Sequence, residues 1–256
     1  MKRIQILTLT IGLISSIIPI NAQDLTAKSI VEKSVDLTLG ESSFGKMTMT
    51  IIRPEWTRTI SMQSWSLGKE YYMIYITSPA RDKGQVFLKR KQDMWNWMPA
   101  INRLIKIPPS MMMQSWMGSD FSNDDLVREN SILIDYTHRV IIGSETIDGY
   151  DCYKVELMPL DEAPVVWGKI IMWISKNEFY QLRSEFYDDY MELVNISTAS
   201  QIKEMGDRKL PSLLKIYPVD KEGNVTQLEI THQEFNVKNI NEGFFSQQNM
   251  KRIRAK

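Results

Sequence analysis

The chain has 256 residues, with 31 basic against 31 acidic side chains, 16 Met, 7 Trp, two His and one Cys. So even a balance argues against a nucleic-acid partner and against strong electrostatic attraction to anionic lipid. The lone thiol, Cys152, rules out an internal disulfide, so the core must hold itself together without covalent staples.

In chain order, the first feature is an export signal. Lys2 and Arg3 form a positive start, and residues 4–20 are mostly apolar, broken by Thr8, Thr10, Ser15, Ser16 and Pro19. Asn21-Ala22 then offers a small residue for cleavage before Gln23. The run is shorter and more polar than the ~20 apolar residues a membrane-spanning helix needs. A cleavable signal peptide is therefore expected at residues 1–22, and a single β-rich domain at residues 23–256. No Cys follows the apolar run, so the chain is not expected to be a lipoprotein itself. Loss of Lys2 and Arg3 leaves 29 basic against 31 acidic residues, a net charge of −2.

Residues 24–39 read as a helix. Asp24 is placed to cap it, Ala27, Ile30, Val31, Val35 and Leu39 share one face, and Gly40 stops it. From Gly45 the period becomes two: Met47, Met49 and Ile51 alternate with Thr48, Thr50 and Ile52, the pattern of a strand. Strands at 56–65 and 70–77 follow, joined by Ser66-Leu67-Gly68-Lys69, then shorter ones at 85–89, 93–97 and 103–107. After Pro108-Pro109 the alternation stops, and residues 110–118 hold Met111, Met112, Met113, Trp116 and Met117. Ser119-Asp120 is placed to cap a short helix at 121–127, whose early acids Asp124 and Asp125 suit a positive helix end. Strand patterns then resume at 136–146 and 153–158, flanking the hairpin signal Asp148-Gly149, and at 165–174, 180–187, 191–200, 209–217 and 226–237. About ten strands joined by short turns predict an antiparallel meander, since parallel crossovers need longer links. The simplest arrangement is one strongly curved sheet, its concave face covered by the N-terminal helix and by residues 108–128.

The residues that carry chemistry are sparse. His138 and His232 lie in strand patterns with no second ligand at metal spacing. Cys152 sits beside Asp151, whose charge raises a thiol pKa, the wrong direction for a nucleophile. Asp120, Asp124 and Asp125 lack the alternate spacing and glycine turn of a calcium loop. There is no nucleophile elbow, phosphate-cradling loop or dinucleotide fingerprint. No catalytic, cofactor or metal site is expected, and the chain does not read as an enzyme. What stands out is apolar: Trp56, Trp65, Trp95, Trp97, Met111, Met112, Met113, Trp116 and Met117. Met is flexible and polarizable and suits surfaces that fit variable apolar shapes. A loop with four Met and a Trp must be buried against something or serve as a lid.

Several segments together resemble the outer-membrane lipoprotein-sorting family, the LolA-like periplasmic proteins, some of which accompany resistance-nodulation-division exporters. They are Trp95-Asn96-Trp97-Met98-Pro99, Ile105-Lys106-Ile107-Pro108-Pro109-Ser110, and above all Ser115-Trp116-Met117-Gly118-Ser119-Asp120-Phe121-Ser122-Asn123-Asp124-Asp125-Leu126. Arg53-Pro54-Glu55-Trp56-Thr57-Arg58, Pro79-Ala80-Arg81-Asp82-Lys83-Gly84 and Phe245-Ser246-Gln247-Gln248-Asn249-Met250 extend the likeness over the mature chain. The resemblance implies an unclosed β-barrel of about eleven strands, plugged by helices, that carries acyl chains of lipoproteins or lipids towards the outer membrane. It implies a lid held by an arginine, for which Arg53 and Arg58 are the candidates. It also implies a periplasmic location, an inner-membrane exporter and an outer-membrane acceptor as partners, and no cofactor. An adaptor role beside an exporter is the alternative reading, and a monomer is expected.

Overall fold

The computed structural model describes residues 25–127 and 131–255; the expected signal peptide and the Asp24 cap lie outside them. The chain begins with α1 (Ala27–Leu39), then β1 (Ser42–Arg53), β2 (Trp56–Leu67), β3 (Tyr71–Ser78), β4 (Val86–Arg90), β5 (Asp93–Met98) and β6 (Arg103–Ile107). Two short helices, α2 (Asn123–Val127) and α3 (Ser131–Ile134), lie in the long link to β7 (Tyr136–Ile147). There follow β8 (Tyr150–Pro159), β9 (Lys169–Ser175), β10 (Gln181–Tyr187), β11 (Leu193–Met205), β12 (Arg208–Pro218), β13 (Val225–Phe235) and a last helix, α4 (Gln247–Arg252). Every segment with a strand pattern forms a strand, and together they make thirteen, more than the rounded figure of about ten and the eleven that the resemblance implies. Residues 165–168, expected to open a strand, instead form a loop before β9.

All thirteen strands join one antiparallel sheet in the order β6-β5-β4-β3-β2-β1-β13-β12-β11-β10-β9-β8-β7. Two meanders run outwards from a central seam, where β1 pairs with β13 from Ser43↔Phe235 to Ile52↔Val225. The sheet does not close: β6 and β7 are its two edges. β6 exposes Arg103 and Lys106, while register shifts after Val140 and Ile142 break up the ladder of β7. Charges and bulges of this kind discourage pairing with a foreign strand.

Helix α1 is capped by Thr26, whose hydroxyl accepts from the Ser29 N–H at 3.1 Å, and it ends at Gly40, whose φ of 63° an L side chain resists. Its buried stripe of Ile30, Val31, Val35 and Leu39 packs on Val155, Leu157, Ile170, Met172 and Ile174 of β8 and β9. We call the face it covers the inner face. In the other half that face carries Met47, Met49, Ile51, Ile60, Met62, Ile74, Ile76 and Phe87, and the β6–β7 link packs on them.

The outer face of the β1–β5 half is also buried. Cross-strand neighbours Phe44, Trp65, Met73, Leu88 and Trp95 form a row across it, covered by the C-terminal segment with Phe245 and Met250. Arg90 anchors that segment by donating to the Glu242 and Phe245 carbonyls, each at 3.1 Å. Phe245 is fully buried. Phe245→Ala is expected to lower the unfolding free energy by about 3–5 kcal/mol in urea titrations, the usual cost of deleting a core aromatic ring. A loss under ~1 kcal/mol would mean that the C-terminal segment does not form part of the core.

Candidate functional site: a latched cavity on the inner face

The link between β6 and β7 starts at one edge of the sheet and must reach the other, so it crosses the inner face. Its first part is a plug. Met112 and Trp116 are buried and Met111 and Met117 partly so, all against the β1–β6 half, with Trp116 edge-on to Phe87 at 5.3 Å. Met113 points to solvent at 62% exposure.

The link is then held down at the seam. Met117 (φ 53°) and Gly118 (φ 81°) are both left-handed. The Met117 carbonyl accepts from Arg58 and the Gly118 carbonyl from Arg53, each at 3.2 Å. For a non-glycine residue such as Met117 this conformation is costly, and the contacts around it hold it in place. Arg53 also grips Asp120 with both terminal nitrogens at 3.0 Å, a fork-to-fork pair that is 13% and 9% exposed. Thr226, at the start of β13, donates to Asp120 at 2.6 Å and accepts from its N–H at 3.0 Å. Arg58 in turn pairs with Asp82 at 2.6 Å. Both candidate arginines thus touch the lid, Arg53 through a carboxylate and a carbonyl, Arg58 through a carbonyl alone.

The sequence pattern places Ser119-Asp120 as the cap of a helix at 121–127, but the helix begins at Asn123. Ser122 caps it instead, in a reciprocal box: its hydroxyl accepts from the Asp125 N–H at 3.1 Å and its N–H donates to the Asp125 carboxylate at 2.7 Å. This frees Asp120 for the latch.

Beyond the latch, α1, the link and β9–β13 surround a partly open cavity of about 300 Å³. Its origin lies in side-chain size along the inner face. One cross-strand row runs Ile51, Thr226, Ile216, Ser197, Ser184, Met172, and the next pairs Met49, Leu228, Leu214 and Ala199. Where β1–β3 carry Met and Ile, β10 and β11 carry Ser184, Ser197 and Ala199, all buried, and space is left above them. Val35 and Leu39 of α1, Phe121, Ile132 and Phe186 line the rest of an apolar interior.

Two titratable groups at this cavity, Asp125 and Tyr136, are tied into structure. Burial pushes the Asp125 carboxyl above its ordinary range, countered by the Ser122 N–H and by the Trp167 indole at 3.4 Å. Burial likewise raises the Tyr136 phenol, which donates to the Trp167 carbonyl at 3.1 Å. Outside the cavity lining, His138, its pKa lowered by burial, bonds the Ile132 carbonyl at 2.6 Å, and burial raises the Cys152 thiol. Among the described residues no group of three or more His, Cys, Asp or Glu could hold a metal ion.

None of the nine apolar candidates named from the sequence lines this cavity. Met111, Met112, Trp116 and Met117 plug the neighbouring half. Trp65, Trp95 and Trp97 belong to the outer-face cluster, and Trp56 sits 49% exposed at the β1–β2 turn. Sequence reading followed large apolar side chains, whereas the cavity is marked by small ones at alternate positions in β10 and β11.

An open antiparallel half-barrel, roofed by a helix and a latched link over an apolar cavity, defines the LolA-like class of fold. Solved structures agree. An outer membrane lipoprotein-sorting protein domain from Vibrio parahaemolyticus superposes with a TM-score of 0.78 at 22% identity, over 88% of this chain and 98% of that one. A DUF1329 family protein from Desulfovibrio piger gives 0.77 at 22%, over 88% and 98%, and a LolA superfamily protein from Nitrosomonas europaea 0.75 at 24%, over 88% and 100%. No curated protein matches the sequence. A family model described as "Uncharacterized protein" matches residues 68–252, and the chain belongs to that family.

Arg53→Ala should release the link: amide hydrogen exchange in residues 111–120 is expected to accelerate roughly 10- to 100-fold, the ~1.4–3 kcal/mol of a charge-assisted contact. Unchanged exchange would show that the latch is ornamental. Asp125 gives a pH signature. Its raised folded pKa means that the native state binds the proton more tightly than the unfolded chain. Stability should therefore fall as pH rises from the ordinary carboxylate pKa of about 4 through the raised value. Asp125→Asn should flatten that decline in pH-dependent denaturation, and an equal slope in both proteins would contradict the assignment.

Proposed function

We propose that this protein is a periplasmic carrier that holds an acyl chain of a lipoprotein or lipid in the inner-face cavity and moves it towards the outer membrane. The observation that carries this reading is the cavity itself: apolar, roofed, and bounded by a segment latched through a few polar contacts. The signal-like N-terminus and the lipoprotein-sorting description of a structural neighbour support the location and the cargo class.

The physical problem is an acyl chain that must cross water. Each buried CH₂ is worth ~0.8 kcal/mol, so shielding a chain of about twelve carbons is worth roughly 10 kcal/mol. A lining of aliphatic and aromatic side chains supplies that without directional bonds, which lets the cargo leave again for a better acceptor. The volume of about 300 Å³ is small for a ligand site, the size of a single chain. Larger cargo requires the link to lift, and the Arg53–Asp120 contact sets how much free energy that takes. Transfer needs no bond chemistry, only a donor in the inner membrane, such as an exporter, and an acceptor in the outer membrane.

Ala199 faces the cavity at its narrow-residue floor. Ala199→Trp should fill it and weaken binding of a fluorescent fatty acid at least tenfold, with the circular dichroism of the wild type retained. Native mass spectrometry should find an acyl-bound species in protein purified from the periplasm. A consistently empty protein that also ignores the fluorescent fatty acid would overturn the carrier reading.

A further inference from the structure

The two ends of the sheet carry different turns. At the end where β1 meets β2, six hairpin connections lie side by side in the order β5–β6, β3–β4, β1–β2, β12–β13, β10–β11, β8–β9. Six of the exposed large apolar side chains sit on them: Ile101, Trp56, Val219, Tyr190, Met191 and Leu160. At the opposite end the turns hold residues such as Lys69, Lys91, Asp148, Lys176 and Asp207, with no exposed large apolar side chain among the described residues.

The apolar rim is also split by charge. Its β8–β13 wing exposes Asp161, Glu162, Asp189, Glu192, Asp220 and Glu222 against Lys221 alone, six acids to one base. Its β1–β6 wing exposes Arg81, Lys83 and Arg103 against Glu55; Arg53 pairs with Asp120, and Arg58 and the largely exposed Arg81 share Asp82, so five bases stand against three acids. Three turns lie on each side of the β1–β13 seam, so the wings are mirror-placed and of opposite sign.

We propose that a second copy of this chain docks on this rim, end to end, as a two-fold symmetric dimer. A two-fold axis that passes through the seam at the rim, perpendicular to the sheet, lays each wing on the other wing of the partner. The β3–β4 turn, with Arg81 and Lys83, then meets the β10–β11 turn, with Asp189 and Glu192. Arg103 meets Asp161 and Glu162, Ile101 meets Leu160, and Trp56 meets Val219. Every such contact occurs twice, so the two outer pairs of turns complement each other in charge, while at the seam Glu55 faces Asp220 and Glu222 with Lys221 between them. An anionic membrane is the poorer occupant, since the acidic wing would be repelled from it. The dimer departs from the monomer expected from the sequence, and it does not rest on the carrier reading.

Sedimentation velocity of the mature protein over a concentration series tests this. The expected result is a dimer that weakens as salt is raised. Reversing one wing with Arg81→Glu and Lys83→Glu, or the other with Asp189→Lys and Glu192→Lys, should weaken self-association at least tenfold. An equimolar mixture of the two variants should restore a heterodimer, because each altered wing then faces its complement. If a reversal misfolds, Tyr190→Ser at a side chain 88% exposed should weaken the dimer without threatening the fold. A monomer at every concentration, a dimer indifferent to all these changes, or pelleting with phosphatidylglycerol vesicles in place of dimerisation would overturn the proposal.

Discussion

The first strand of the sheet pairs with the last, and most of the molecule follows from that seam. With β1 and β13 joined at the centre, each half can only meander outwards, and the two edges, β6 and β7, end far apart in sheet order. The chain must still travel from one edge to the other. The described parts of that link, residues 108–127 and 131–135, lie over the inner face, so a lid results from connectivity. The latch sits where the seam can hold it: Arg53 ends β1, Thr226 opens β13, and both converge on Asp120.

The two halves of the inner face then divide the work. Long side chains on β1–β5 meet the Met-rich part of the link and fill their half; unbranched Met can adapt to irregular gaps. In the other half α1 spans the sheet above short side chains, and the gap stays open. An unfilled apolar space loses contacts on its lining and so costs stability. On the carrier reading, an apolar occupant restores those contacts and loading firms the fold.

Much of the architecture was legible from pattern. Met47, Met49 and Ile51 alternate cleanly because one sheet face is buried, Asp148-Gly149 marks a hairpin, and the loss of alternation after Pro109 marks the link. Period alone could not say which face was inner. Trp65, Trp95 and Trp97 alternate as well as any residue, yet they face a cover supplied by α4, six residues long and too short to show a helical period. Arg53 and Arg58 emerged from the resemblance as candidates, but their partners are distant in sequence: Asp120 is 67 residues from Arg53, and the Met117 carbonyl 59 residues from Arg58. The cavity was hidden for a different reason. It is made by what Ser184, Ser197 and Ala199 lack, and small residues in a strand carry no sign that their neighbours across the sheet will fail to fill the space.

The central claim is that the space over β10–β12, and not the Met-rich plug, holds apolar cargo. Photo-crosslinking with a diazirine-bearing fatty acid, followed by mass-spectrometric mapping of the adducts, measures this directly. The account predicts adducts on cavity residues such as Ile132, Met172, Ala199 and Ile216. Adducts confined to Met111–Met113 and Trp116, with the cavity residues unlabelled, would contradict it.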